Sequence, residues 1–426
     1  MQRLEPQNKQ AEQKNRKIEK RKEPKKKEKK KEKTMQTEPK INMAQTFSSR
    51  SEILSGVKVA QPTVAAHSSW AEQNSRLHDE SFAAVVAAGV PRLFLPKSLG
   101  GFETDPVTCA LLCEQLADSD TAAAWHVMVF NAAKLMAAKW PAEMVELLWA
   151  ENPDQLVSAS GHTPMQGRKT TDGYIVSGTQ RFVSGCDHAS WLMSPMLVEG
   201  EMYTVVVPMS QCKKLDNWDT LGMRGSGSTD VLLDDIFVPD LQVAPPATPD
   251  TPNNLHFRGQ LYLCPSRIVF ATYVPVVFSL ARRALQQVSA LVADKTPGGA
   301  AGKVRDKNIA QAHYGKALAK YRAARLMFYD ALENTWDKAG AGNEADALDR
   351  ADLYLAGAHA VQTCAEVVRH VADIAATAMI AKGSELERIS RDMETLRHHG
   401  FVNESRYASV AQVHWGAELD YPAMLR

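Results

Sequence analysis

Three separated stretches of the chain carry residue types that could do chemistry. Near the C-terminal end Arg391-Asp392 is followed by His398-His399. A histidine with an ordinary pKa of about 6.5 can donate a hydrogen bond and pass protons near neutrality, so this pair is the leading acid–base candidate. The run from Tyr174 to Trp191 turns through Gly178 and ends in an aromatic-Ser-Gly segment, Phe182-Val183-Ser184-Gly185. Further on, Leu221 to Asp230 contains Gly222, Gly225 and Gly227 in a Gly-x-x-Gly-x-Gly pattern, but between strands and not at a helix start, so it does not read as a phosphate loop. No Gly-x-Ser-x-Gly elbow marks a serine hydrolase. The six cysteines form no Cys-x-x-Cys pair and have no histidine at metal spacing, so neither a metal site nor a disulfide framework is expected. His126 beside Trp125 and His162 beside Ser160 are further candidates, and Cys186 reads as small buried filler.

Taken in order, the Phe182–Gly185 segment, the Leu221–Asp230 loop closing with Asp234-Asp235-Ile236-Phe237-Val238-Pro239, and Arg391-Asp392 with its trailing histidines resemble the acyl-CoA dehydrogenase superfamily over roughly residues 55–420. The likeness is greatest to its two-component flavin-dependent monooxygenases, the group D aromatic hydroxylases. It implies an α+β, mostly α fold, with an N-terminal helical domain, a middle antiparallel β-barrel domain and a C-terminal four-helix bundle, assembled as a homotetramer. It also implies that Phe182, Ser184 and Gly185 lie along a flavin ring, with Ser160 on the preceding segment and Trp125 or Asn131 nearby. Such residues supply the apolar walls and the few hydrogen bonds that a flavin needs.

The resemblance also locates what is missing. Where the dehydrogenases carry their base glutamate, eight residues past Asp392, this chain has Gly400, and at a second family position, ahead of Arg267-Ile268-Val269, it has Ser266. Neither accepts a proton at a useful pKa. His399, seven residues past Asp392, stands where the monooxygenases place a histidine, and is the expected catalytic residue, donating to a flavin hydroperoxide. The Phe-Gly that helps clamp an FAD pyrophosphate is absent from Thr296–Arg305. Lys303 and Arg305 remain to meet one phosphate, so reduced FMN is favoured, FAD being possible, with O2 as co-substrate. Arg224 is read as structural. The implied activity is that of an oxygenase component hydroxylating a small hydrophobic substrate, aromatic or heteroaromatic, with a separate NAD(P)H:flavin reductase as partner. Two alternatives stay open: an acyl-CoA dehydrogenase or oxidase with a non-standard base, and a non-enzymatic helical scaffold.

These residues must be positioned by three kinds of segment. Residues 1–40 hold 16 Lys/Arg against 7 Asp/Glu, leaving 34 against 42 in the other 386, so the body is acidic and unsuited to nucleic acid. With almost no apolar side chains, residues 1–45 read as a disordered Lys/Glu-rich tail. Residues 46–155 are alanine-rich and helical, with a regular apolar stripe over Pro106–Ala117 and a continuous apolar run over Ala122–Ala138 that must be buried. In 156–245 the period becomes two, and Tyr174–Gly178, Trp191–Val198, Met202–Val207 and Val231–Val238 read as strands separated by turns at Asp172-Gly173, Glu199-Gly200 and Asp234-Asp235. In 246–426 long helices are expected over Arg267–Lys295, Asp306–Lys338 and Leu348–Lys382, with a shorter one over Asn403–Glu418. The apolar stretch Ile268–Ala281 is too short to span a bilayer, no secretory signal precedes the body, and a cytoplasmic setting without membrane contact is expected.

Overall fold

Among the described residues the first helix, α1 (Arg50–Asn74), starts at Ser49, whose hydroxyl and the Glu52 carboxylate cap each other's backbone amides. The computed structural model describes residues 49–161, 163–248, 251–299 and 301–425, so the expected tail and His162 lie outside the described residues. Four helices follow: α2 (Asp79–Ala87), α3 (Pro106–Ala117), α4 (Thr121–Met136) and α5 (Ala142–Trp149). The bounds of α3 are those of its apolar stripe, because Asp105 caps the Thr108 amide and Pro106 occupies the first turn. Asp120 caps α4 through the Ala123 amide, and α4 is buried on almost every side, as its continuous apolar run requires.

Eight strands come next: β1 (Val157–Ala159), β2 (Met165–Lys169), β3 (Gly173–Gln180), β4 (Trp191–Val198), β5 (Glu201–Pro208), β6 (Lys213–Lys214), β7 (Val231–Pro239) and β8 (Val243–Ala244). Their order is β6-β7-β3-β2-β4-β5-β8, with β1 also beside β4. The expected antiparallel barrel is corrected to a curled half-barrel of mixed direction. β1 and β2 both run parallel to β4, because the Arg181–Ser190 excursion carries the chain back before β4 restarts in the direction of β2. Asp234-Asp235 is no turn either. It is a bulge inside β7, where the register shifts between Val176 and Gly178, Asp235 takes φ 50°, and the Ser177 hydroxyl donates to its carboxylate.

The helices then return as α6 (Pro275–Asp294), α7 (Asn308–Gly340), α8 (Ala347–Ala375), α9 (Glu385–Leu396) and α10 (Arg406–Trp415). Two expected helices are divided. The first opens as a 3-10 turn, Ser266–Thr272, and breaks at Tyr273 before Pro275, whose ring lacks the amide that would continue the ladder. The third stops at Ala375 because Ala376 takes φ 51°, and a new helix, α9, restarts from the Ser384 cap. α7 packs along α8, and α8 touches α6, α9 and α10. One apolar core runs through the N-terminal and C-terminal helices, including Phe94, Phe130, Phe278 and Tyr354, while the sheet buries its own cluster around Val176, Leu192 and Leu233.

The loop before β7 seats directly on α9: a β-carbon on Gly222 would lie 2.3 Å from the Arg391 carbonyl oxygen and 2.6 Å from the Asp392 amide nitrogen. Backbone cannot yield as a flexible side chain does, so Gly222→Ala is expected to lower unfolding free energy by about 3 kcal/mol. Gly400→Ala, with no atom within 4 Å of the added carbon, is expected to melt like the parent in the same denaturant titration.

Candidate active site

The break at Tyr273 turns an aromatic ring into the junction between the helices and the sheet. There Trp125 of α4, Tyr273 and His399 just past α9 form a triangle, with ring centroids 5.4 Å apart for Trp125–Tyr273 and 5.5 Å for each pair with His399. The planes are steeply inclined, so edges meet faces as the ring quadrupoles favour. Phe401 closes on His399 at 5.1 Å. Tyr273 is 2% exposed, yet its hydroxyl has no hydrogen-bond partner in the protein, and burial holds its pKa well above 10, so it remains a neutral donor. A buried hydroxyl left unpaired costs about 1–3 kcal/mol, so this one is available to bond a ligand or a water.

The triangle is fastened to the sheet through Trp125. Its indole Nε1–H donates to Ser184 Oγ at 3.1 Å, and that oxygen lies 2.6 Å from Ser228 Oγ, itself 2.7 Å from Ser226 Oγ. Ser158 Oγ donates to the Ser184 carbonyl at 2.9 Å, and Ser160 Oγ donates to the Arg181 carbonyl at 2.6 Å. The turn they hold is strained: Phe182 takes φ 59°, a left-handed conformation rare for a side chain of this bulk, and its ring is 47% exposed beside Trp218. Gly185 has φ 71° and faces His126, whose Nε2 would lie 3.2 Å from any β-carbon there. The structure thus joins Trp125, Ser184, Gly185 and His399 in one place, with Phe182 on the same turn and Ser160 bonded to it from the end of β1. An exposed aromatic platform, serine hydroxyls and an orphan phenol fit a planar flavin and a small aromatic partner.

Electrostatically the site is almost uncharged. Burial, then the nearby Arg267 guanidinium, pushes the His399 pKa down to about 4, which corrects the expectation of an ordinary histidine titrating near neutrality. The Phe401 amide faces Nδ1 at 3.5 Å, which leaves the proton on Nε2 and makes His399 a neutral donor. Arg267 stacks over Phe401 at 4.2 Å and donates from Nε to the Tyr354 hydroxyl at 2.5 Å, and among the described residues no carboxylate pairs with it. His398 is exposed and bonded to Glu394.

The other expected residues have different tasks. Asn131 accepts from the Phe94 amide and donates to the Val90 and Val127 carbonyls, so its amide is spent tying α4 to the turn at Val90. Arg305 sits in the turn Val304–Asp306 beside Asp306, and no contact joins it to the serine turn among the described residues. Lys303 bonds the Ala293 carbonyl and Asp294, and Arg224 bonds Glu72 and Asp219. Burial raises Cys186 to about 12 and keeps it inert. His126, pushed down to about 4 by burial, holds the Ala122 carbonyl. A hollow of about 520 Å³, lined by Arg50, Asp105, Glu333 and Trp336 among others, shares no residue with the rings and lacks their chemistry. Sequence reasoning missed Tyr273 and the site role of Arg267. The signal available was a tyrosine two residues before Pro275 in an otherwise apolar run.

Residues 271–404 match the family model of the acyl-CoA dehydrogenase C-terminal domain. Indole-3-acetate monooxygenase from Acinetobacter baumannii is 28% identical over 336 residues, 77% of this chain and 85% of that protein. The oxygenase subunit HsaA of a flavin-dependent monooxygenase from Rhodococcus jostii is 30% identical over 188 residues, covering 43% and 49% of the two chains. The solved structure of XiaF from Streptomyces sp., in complex with FADH2 and glycerol, superposes with a TM-score of 0.81 at 20% identity over 88% of this chain and 97% of that one.

Since the Tyr273 hydroxyl is unpaired in the free protein, Tyr273→Phe is expected to leave the thermal midpoint of that form unchanged or raise it slightly. The same variant is expected to weaken binding of reduced flavin or aromatic substrate about tenfold, through one lost hydrogen bond of ~1.5 kcal/mol. Parallel calorimetry and melting of the two proteins check both halves.

Proposed function

We propose that the chain is a flavin-dependent monooxygenase of the acyl-CoA dehydrogenase superfamily, the oxygenase component of a two-component system hydroxylating a small aromatic or heteroaromatic acid. The observation that carries this reading is the Trp125–Tyr273–His399 triangle bonded through Trp125 to the serine turn. Phe182, Ser184, Gly185 and Ser160 would hold reduced flavin on the turn, with Trp125 as its wall. Reduced flavin, when bound, supplies the electrons that activate O2 for transfer to the substrate. A separate NAD(P)H-dependent reductase delivers it, in keeping with the oxygenase-subunit name of the Rhodococcus relative. FMN is preferred to FAD here because the Phe-Gly clamp is missing near Lys303.

The protein's own part is to bind, orient and keep water out. The rings of Trp125, Tyr273 and Phe401 would give the substrate site apolar walls. His399 presents the Nε2 proton to the reacting oxygen and, being neutral, can donate without first being charged. Arg267, lacking a carboxylate partner, supplies a counter-charge for an anionic substituent, and this favours an aromatic acid over a neutral ring. The A. baumannii relative, named for indole-3-acetate, supports the same class. No carboxylate contacts the triangle among the described residues, which disfavours α-proton abstraction as in a dehydrogenase. In this proposal the setting is cytoplasmic, the C-terminal helices form the four-helix bundle, and the enzyme is a homotetramer. Leu326 at 70% exposure and Trp415 at 81% offer apolar surface for that association.

Mixing chain and anaerobically reduced FMN with oxygenated buffer, with and without indole-3-acetate or hydroxyphenylacetate, tests the reading directly. Hydroxylated product supports it, whereas hydrogen peroxide alone with every aromatic acid rejects it. His399→Ala removes a hydrogen bond worth about 1.5–3 kcal/mol, so product formation is expected to fall by about 10- to 150-fold while peroxide release rises. His398→Ala is expected to change neither. With a pKa near 4, His399 also predicts a coupling ratio that stays flat from pH 8 down to 5, read from product and peroxide together. Arg267→Met is expected to raise KM for an aromatic acid about tenfold or more and to leave that for neutral indole unchanged.

A further inference from the structure

Two groups of side chains outside the site bring three possible metal ligands together: His67, His78 and Glu80, and His313, His370 and Asp373. The first is poorly shaped for an ion. His78 Nδ1 already accepts the Glu80 amide as the cap of α2, and the His67 and His78 rings stack almost parallel, with centroids 3.9 Å apart, so no ion lies in both ring planes. The second differs on each count. His313 stands on α7 and His370 on α8, their Nδ1 atoms are 2.9 Å apart, and the rings are inclined by 59°. Asp373, one turn after His370 on the same face of α8, brings Oδ2 to 3.5 Å from His313 Nδ1.

Two neutral imidazoles at that distance share one hydrogen, one nitrogen donating and the other accepting. A tetrahedral Zn²⁺ with nitrogen ligands at 2.0–2.1 Å needs its donor atoms about 3.3 Å apart, so the nitrogens have to open by only a few tenths of an ångström. Both rings are half-buried and Asp373 is 62% exposed, so the nitrogens are held by the helices while an ion can reach them from solvent. Lys316 and Lys320 add positive charge nearby, and Lys320 is bonded at 2.5 Å to Glu366.

We infer that His313, His370 and Asp373 form a binding site for a divalent transition-metal ion of the zinc class. The site lies near the start of α7 and the end of α8, at the open end of the helix pair, where the two histidines are 57 residues apart in sequence. An ion there clamps the start of α7 to the end of α8, and its binding replaces the Nδ1–Nδ1 hydrogen bond, the donating ring keeping its one proton on Nε2 with no net release. Water fills the remaining coordination position. The site goes beyond the sequence expectation of no metal, and it is independent of the oxygenase reading.

The test uses the full-length, tag-free chain stripped with a chelator, with Co²⁺ as the optical probe and Zn²⁺ as competitor. One Co²⁺ per chain is expected, with visible bands of nitrogen and oxygen ligation that Zn²⁺ abolishes. His313→Ala and His370→Ala are each expected to weaken binding at least tenfold and Asp373→Asn by about tenfold, while His67→Ala leaves it unchanged. Saturating Zn²⁺ is expected to raise the thermal midpoint of the parent and not that of His313→Ala. His313→Gln serves as the second variant should the alanine disturb α7, with far-UV circular dichroism verifying its fold. Absence of a Co²⁺ spectrum at millimolar metal, or binding that survives both histidine substitutions, overturns the inference.

Discussion

A single buried carboxylate, Asp392, joins the three parts of the chain that meet at the site. Its Oδ1 accepts the Met223 amide at 2.6 Å, which pins the loop before β7 to α9. On its other side Arg388, 3.8 Å away, donates to Asp120, the cap of α4, and to Ser68 of α1. Arg391 adds a second tie, to Glu72 of α1 and to the Leu221 carbonyl. α4 carries Trp125, the loop leads into the strand that supports the serine turn, and α9 ends just before His399. The geometry of the rings therefore depends on a charge network whose members are far apart in sequence. Removing one partner of such a network leaves a buried charge, so its energetic weight lies in breaking it more than in having it.

Burial, more than any neighbouring charge, pushes Asp392 up to about 6, with Arg388 and the Met223 amide opposing. Because the folded pKa lies above the ordinary 3.8, this group favours the fold most fully in acid and loses that contribution as pH rises through about 6. His399 behaves in the opposite sense: with its pKa depressed to about 4, the fold favours its neutral form, and that contribution is lost as pH falls from about 6.5 towards 4. At neutral pH the site therefore combines a neutral histidine donor, a neutral phenol and a guanidinium that, among the described residues, has no carboxylate partner. That is a poor setting for removing a proton from carbon and a good one for protecting a reactive oxygen from water while anchoring an anion.

Much of this was legible in the sequence, and the limits have physical causes. The order of helices, strands and helices follows from a change of apolar period, and α3 and β4 fall on the bounds the pattern gives, because caps and turn residues fix them locally. Trp125 and Ser184 were readable as residue types suited to a flavin, whereas the hydrogen bond between them spans 59 positions and leaves no local trace. α9 was hidden because the apolar spacing runs on past Ala376, whose left-handed backbone is what ends α8. The pair Asp234-Asp235 looked like a turn and is a bulge, since Ser177 across the sheet stabilises the kink. Tyr273 was masked by its apolar neighbours, and its role comes from the break before Pro275.

The central claim is that the serine turn and the ring triangle together form one flavin and substrate site. A structure of the chain with reduced FMN and an aromatic acid, determined under anaerobic conditions, measures this most directly. The account predicts the flavin ring against Phe182–Gly185 and Trp125, with the acid between it and His399 and its carboxylate at Arg267. Flavin bound elsewhere, or the acid placed away from His399 and Arg267, would contradict it.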